Sequence, residues 1–207
     1  MSDRDKIDAE MRSFFDDLWR KDPWQFDASD YEQRRFTNLT GLIADRRYRR
    51  GVEIGCGVGA FTRHLAPLVD RLVANDVSAE AVERARGLGL ANVEFRVVNA
   101  LAKGWGDEEA PLDLISFNDT IHYLGWRYTF FDIAWLAHRM FEALAPGGRL
   151  LMANTENKSG DYLLLPFLVR SYRDVFVNVG FRVEREQEFR DANKGVEYTV
   201  LASVFTR

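Results

Sequence analysis

Cysteine is nearly missing from this 207-residue chain: Cys56 stands alone. No internal disulfide can form, and nothing points to an oxidising compartment. Histidine is scarce too, with only His64, His122 and His138 and no paired His-x-x-x-His spacing. No metal-ligand cluster is readable, so metal-independent chemistry is expected. Positive charge is not in excess. The 28 Lys and Arg face 32 Asp and Glu, a net charge of -4, so no chain-wide field draws the protein to nucleic acid or acidic lipid. The one basic run, Arg46, Arg47, Arg49 and Arg50, reads as a solvated corner between a helix and a strand. Apolar runs are short. None approaches the ~20 residues of a membrane span, and the charged stretch Met1–Glu10 lacks the apolar centre of a secretory signal. A soluble cytoplasmic protein without repeats or low-complexity linkers is expected.

The length and a hydrophobic content of 46% suit one domain, read as a helical cap over 1–48 and a core over 49–207. In the cap, Ile7, Met11, Phe14, Phe15, Leu18 and Trp19 follow helical spacing. Asp22 and Pro23 end that helix; a second starts near Ser29 or Asp30, both good N-caps, and carries Phe36, Leu39, Leu42 and Ile43 on one face. Strands and helices then alternate. Strands are expected at 51–54, 72–75, 93–98, 112–117 and 150–153, and helices around 61–67, 79–86 and 130–144. The long helix stops at Pro146-Gly147-Gly148. Such alternation implies parallel pairing through right-handed crossovers. After a helix carrying Leu168, Tyr172, Val175, Phe176 and Val179, two runs at 181–189 and 196–205 flank the turn 191–195. They must pair antiparallel. The expected fold is α/β: a Rossmann-like, seven-stranded, mostly parallel sheet with an antiparallel edge strand, helices on both faces and two N-terminal capping helices.

The chemistry concentrates at Val52-Glu53-Ile54-Gly55-Cys56-Gly57-Val58-Gly59, a strand entering a glycine turn and then a helix. Glycine permits the turn and close approach of a ligand to the backbone, and the helix start offers free N–H groups. Asp76 ends the next strand, where a carboxylate can accept two ribose hydroxyls. Gly55-x-Gly57-x-x-Ala60 also satisfies the dinucleotide fingerprint, which alone is weak evidence. Glu53 tilts the balance. An acid two residues before the first glycine suits a ligand with an ammonium group better than a pyrophosphate, and the antiparallel edge departs from a dinucleotide sheet.

The Glu-x-Gly-x-Gly-x-Gly loop, the acid at Asp76, Leu144-x-Pro146-Gly147-Gly148 and the seven-strand pattern resemble class I S-adenosylmethionine-dependent methyltransferases. More narrowly, Asp22-Pro23-Trp24-x-Phe26, Tyr31-Glu32-Gln33-Arg34-Arg35 and His122-Tyr123-Leu124-Gly125 resemble the nodulation methyltransferases of the NodS type. That resemblance implies N-methylation of a free amine on an aminosugar or oligosaccharide, with S-adenosylmethionine as methyl donor and no metal. It implies cofactor contacts at Glu53, Gly55, Cys56, Gly57 and Gly59, at Asp76 and Val77, at Asn99 and Ala100, and at Asn118. Class I enzymes usually carry Asp where Asn99 stands; the Asn99 side-chain carbonyl still offers an acceptor for an adenine amino group. Trp24 or Tyr31 covers the cofactor in this reading, and Arg35 pairs with its carboxylate. A purely structural Trp24 is the alternative.

Substrate contacts in open α/β sheets gather beyond the carboxyl ends of the strands, where Asn118-Asp119-Thr120-Ile121-His122-Tyr123 lies. His122 is the candidate general base, with Asp119 or Tyr123 orienting the amine; a packed or solvated His122 is the alternative. Trp126 and Tyr128 are candidates to stack on a sugar, or core residues. Rival readings are O-methylation of a small natural product or acid, a nicotinamide oxidoreductase and a non-catalytic cofactor sensor. Base methylation of nucleic acid fits poorly, because Asn118-Asp119-Thr120-Ile121 lacks the prolines of an Asn/Asp-Pro-Pro-aromatic signature. The acceptor itself and the oligomeric state are not legible.

Overall fold

The computed structural model describes residues 3–26, 29–102, 110–157, 161–193 and 195–207. Most of the loop expected between the third and fourth strands, at 103–109, and Lys194 of the hairpin turn lie outside them. Helix α1 spans Asp3–Lys21, with Asp3 and Asp5 in its first turn and Arg20 and Lys21 in its last, both favourable to the helix dipole. Helix α2, Asp30–Gly41, is capped by Ser29, whose hydroxyl accepts from the Glu32 N–H. There follow β1 (Tyr48–Ile54), α3 (Thr62–Leu65) with a 3-10 turn at Ala66–Leu68, and β2 (Val69–Asp76). Helix α4 (Ala79–Arg86) starts on a Ser78 cap and leads to β3 (Val93–Val97) and β4 (Leu112–Asn118). Next come α5 (Ile121–Arg127), α6 (Phe130–Ala143) behind a Thr129–Asp132 capping box, and β5 (Leu144–Glu156). Helix α7 (Pro166–Val179) ends at Gly180, φ 128°, before β6 (Arg182–Asn193) and β7 (Val196–Thr206).

The seven strands form one sheet in the order β3-β2-β1-β4-β5-β7-β6. All pairs from β3 to β5 are parallel, and β7 runs antiparallel to both β5 and β6. The antiparallel pair expected at one edge is there, with the reversed strand one place inside it. Pro146-Gly147-Gly148 sits within a register shift: Leu112 pairs with Leu144, but Leu114 pairs with Arg149. The missing proline N–H is thereby placed where the ladder is already interrupted.

Alternation along the strands divides the core. Val52, Ile54, Ile115, Phe117, Leu150 and Met152 pack with α5, α6 and α7 residues such as Leu124, Met140 and Phe176. On the opposite face Leu72, Leu114, Leu151 and Val204 pack with Phe36 and Leu39 of α2, Ile43 just after it and Leu65 of α3. Helix α4 covers Ala74 and Phe95 on that side. Helix α1 instead crosses the carboxyl ends of the strands. At one end Arg4 reaches Asp132 and the Leu101 carbonyl; at the other, Asp16 accepts from Ser78 Oγ at 2.5 Å and the Glu80 N–H at 3.2 Å. This crossing roofs the site. Among the described residues no helix is long and apolar enough to cross a membrane.

Candidate active site

Each glycine of the loop after β1 has its own reason. Gly55, Gly57 and Gly59 have φ of 75°, 54° and 82°, where side-chain-bearing residues are strained. A Cβ on Gly55 would stand 2.1 Å from Thr120 Oγ1, one on Gly57 2.5 Å from the Trp19 ring, and one on Gly59 2.5 Å from Leu88. Gly55 therefore lets β4's extension close in, and Gly57 lets α1 press on the loop. Gly59 faces α4 behind the turn.

Asp76 fastens this loop. Its Oδ2 accepts the Gly57 N–H at 2.8 Å and its Oδ1 the Ser78 N–H at 2.9 Å. Burial pushes its carboxyl above the usual range, and the N–H bonds from Ser78, Gly57 and Val77 pull back only in part. Glu53 lies beside it, buried in β1. Burial raises its carboxyl to about 7; the nearby Thr62 hydroxyl opposes the shift and Asp76 adds to it. Glu53 Oε2 has no partner within the protein. The price of an unsatisfied buried carboxylate oxygen is of order 1–3 kcal/mol or more, which a cationic ligand group would recover. Cys56, also buried, has its thiol held well above the ordinary value by that burial and by the Asp76 and Glu53 charges.

A cavity of about 420 Å³ opens over this loop, within the range of small-molecule sites. Trp19 and Trp24, 4.9 Å apart between centroids, form part of its wall with Phe26, which stacks on Trp24 at 5.7 Å. Glu53, Gly55, Cys56, Gly57, Asp76, Val77, Asn99, Ala100 and Asn118 line one part of it. Tyr31, Arg35, Asp119, His122 and Tyr123 line another. Gly59 does not line it.

In that second part an ion-pair network replaces a free arginine. Arg35 Nε and Nη2 both lie 2.7 Å from Glu32 Oε2, and Nη1 pairs with Asp119 Oδ2. Burial opposes the guanidinium charge, but Asp119 and Glu32 more than offset it and hold Arg35 protonated. The fork that the sequence suggests for a ligand carboxylate is thus engaged inside the protein. Asp119 adopts φ 45° and its Oδ1 accepts the Thr155 N–H at 2.7 Å. Burial alone would raise its carboxyl; Arg35, His122 and the Thr155 bond reverse that, leaving it below the usual range.

His122 is 4% exposed, packs 4.2 Å from the Tyr123 ring, and its Nδ1 has no protein partner. Burial lowers its pKa, with Asp119 and Asp161 opposing, so the imidazole is neutral near pH 7, and in the tautomer protonated on Nε2 the unpartnered Nδ1 is an acceptor. Burial raises Tyr123 and Tyr31, with nearby carboxylates adding to it; both remain phenols. The Tyr31 hydroxyl and Asn118 Oδ1 are likewise buried without partners. Near α1, Asn99 Nδ2 donates to Asp8 at 2.9 Å, and Asn99 Oδ1 accepts the Leu101 N–H at 2.9 Å. One lone pair of that carbonyl is already in use. Among the described residues no group of three His, Cys, Asp or Glu is arranged to hold a metal ion.

The family model described as nodulation protein S (NodS) matches residues 8–124. The chain belongs to the nodulation protein S family. The nodulation protein S of Rhizobium tropici is 31% identical over 145 residues, 68% of this chain and 58% of that protein. That of Sinorhizobium fredii is 28% identical over 142 residues, 67% of this chain and 62% of that protein. The matched region therefore spans less than two thirds of those relatives' own lengths. Among solved structures, N-methyltransferase NodS from Bradyrhizobium japonicum WM9 in complex with S-adenosyl-L-homocysteine has a TM-score of 0.74 at 21% identity. The match covers 93% of this chain and 98% of that one, and it supports the fold.

Within this member of the nodulation protein S family, sequence reasoning missed several lining residues. Trp19 is an ordinary member of α1's apolar stripe until α1 is laid over Gly57. Thr155 lines the cavity unannounced; of the polar residues after the fifth strand that the sequence suggests near the same mouth, Asn157 lines it, whereas Asn154 and Glu156 do not. Helix α5 was not expected: it holds His122 and Tyr123 and is only seven residues long. A signal existed in Gly125, where a Cβ would stand 1.9 Å from the Tyr172 hydroxyl, a mark of helix packing against α7. Tyr128 lines the cavity and donates to Asp8 at 2.8 Å, whereas Trp126 lies outside it against Phe14.

Proposed function

We propose that this protein is an S-adenosylmethionine-dependent methyltransferase that methylates a free amine on a small molecule, with an aminosugar or oligosaccharide as the acceptor class. One observation carries the reading: Glu53, which lines the glycine-loop cavity, has a buried carboxyl oxygen without a partner in the protein, which fits a ligand bearing an ammonium group. S-adenosylmethionine supplies a methyl group on a positively charged sulfonium. Glu53 would hold its ammonium, Asp76 its ribose hydroxyls, and Asn99 with the Ala100 backbone its adenine. The N-methyltransferase description and bound S-adenosyl-L-homocysteine of the Bradyrhizobium structure support the choice.

The rest follows from the chain's own groups. Trp19, Trp24 and α1 wall the cavity from water, which strengthens every charge interaction inside. An amine acceptor must lose a proton to become a nucleophile, and neutral His122 has an unpartnered nitrogen to take it. Tyr123, held as a phenol beside His122, would orient the acceptor. Asp119 keeps Arg35 and Thr155 in register along that wall. Calorimetric titration tests the reading. Micromolar binding of S-adenosylhomocysteine, with none of NAD, is expected. Binding of NAD alone would overturn it and restore the dehydrogenase reading of the loop.

A further inference from the structure

We propose that Asp161 is the carboxylate that recognises the acceptor's cationic amine, making it the residue that selects free amines over acylated or anionic acceptors. The inference rests on the N-methylation reading above. Of the acids lining the cavity, Glu53 lies near the end of β1, next to the glycine loop, and Asp76, at the end of β2, holds that loop. Glu32 and Asp119 share Arg35, and the Asp119 oxygens accept from Arg35 and from the Thr155 N–H. Asp161 lines the same cavity, and among the described residues no Lys or Arg pairs with it.

Its placement is built. Asp161 Oδ1 accepts the Leu163 N–H at 2.9 Å, capping the 3-10 turn Tyr162–Leu164. The Asn157 N–H donates to the Leu164 carbonyl at 2.8 Å, fastening that turn to the end of β5. The carboxylate is close enough to His122 and Tyr123 to act on both electrostatically. His122 supplies the independent sign of a ligand: a side chain 4% exposed, lining this cavity, with Nδ1 unpartnered. An ammonium has three donors. Asp161 can accept from one as a charge-assisted bond and His122 from another, so recognition and proton acceptance fall on neighbouring groups. Glu32 and Asp119 are both tied to Arg35, which leaves Asp161 as the lining carboxylate outside that network and without a Lys or Arg partner among the described residues. An N-acetylated sugar has no cation to offer, and a carboxylic acid is repelled.

Binding of a glucosamine tetramer and of its N-acetylated counterpart, each in saturating S-adenosylhomocysteine, tests this for wild type, Asp161→Asn and Asp161→Glu. Wild type should prefer the free amine. Asp161→Asn should weaken amine binding about 10- to 100-fold, the worth of one charge-assisted hydrogen bond, without changing N-acetyl binding, and Asp161→Glu should restore part of the preference. Unchanged S-adenosylhomocysteine affinity in Asp161→Asn reports an intact fold. An amine preference that survives Asp161→Asn overturns the role of Asp161 and leaves the amine reading standing. No preference for the amine in wild type overturns the amine reading, and this inference with it.

Discussion

Replacing Glu53 by glutamine removes a cavity-lining carboxyl whose Oε2 is buried without a partner. In the ligand-free protein its carboxyl titrates near 7 instead of 4.5, so at pH 6 about ten molecules carry it protonated for each that carries it ionised. A ligand ammonium requires the ionised form. Binding of S-adenosylhomocysteine should therefore release nearly one proton at pH 6, and its affinity should rise about 20- to 30-fold between pH 5.5 and 7.5. The ligand's own α-amino group, with a reference pKa of about 8, keeps most of its charge over that window. Calorimetry in two buffers of different ionisation enthalpy reads the proton directly. Glu53→Gln should bind more weakly at pH 7.5 and lose the pH slope. Stability runs the other way. The folded form holds a proton that the unfolded chain gives up above 4.5, so Glu53's share of stability falls as pH rises from 4.5 to about 7. At about 1.4 kcal/mol per pH unit the loss reaches about 3 kcal/mol. Glu53→Gln should melt higher than wild type above pH 7 when no ligand is present. Flat wild-type affinity from pH 5.5 to 7.5, or a slope that persists in Glu53→Gln, would refute the argument.

Two further pairs of outcomes separate the roles of neighbouring residues. Asp76→Ala frees the Gly57 and Ser78 N–H groups and should cost about 1–3 kcal/mol of stability together with most S-adenosylhomocysteine binding, measured by melting and calorimetry. His122→Ala should bind S-adenosylhomocysteine normally but turn over about 10²- to 10⁴-fold more slowly; equal loss of binding in both variants would undo this division. Gly57→Ala places a methyl 2.5 Å from the Trp19 ring at a backbone φ of 54°. It should push α1 off the loop, expose Trp19 to a fluorescence quencher and weaken S-adenosylhomocysteine binding, whereas an unquenched Trp19 would show that α1 adapts.

Legibility in the sequence followed the range of the forces involved. The strand–helix alternation, the cap at Ser29 or Asp30 and the glycine turn depend on neighbours a few residues away, and all were readable. Strand ends were less so: β1 begins at Tyr48, three residues before the apolar run that announces it, because ladder bonds to β2 extend past that run. Helix α5 escaped notice because seven residues interrupted by Gly125 have too few turns to show a period. The sequence by itself determined the sheet, the order of its elements and the group of residues at the carboxyl ends of β1, β2 and β4. The tertiary structure decided what those residues do to each other. Only packing brings Arg35 of α2 against Asp119, 84 positions away, and lays Trp19 over Gly57. Only the turn after β5 sets Asp161 on the wall with His122. Ion pairs and desolvation act through space at a few ångströms, so their partners and protonation states are set by the folded arrangement and not by order along the chain.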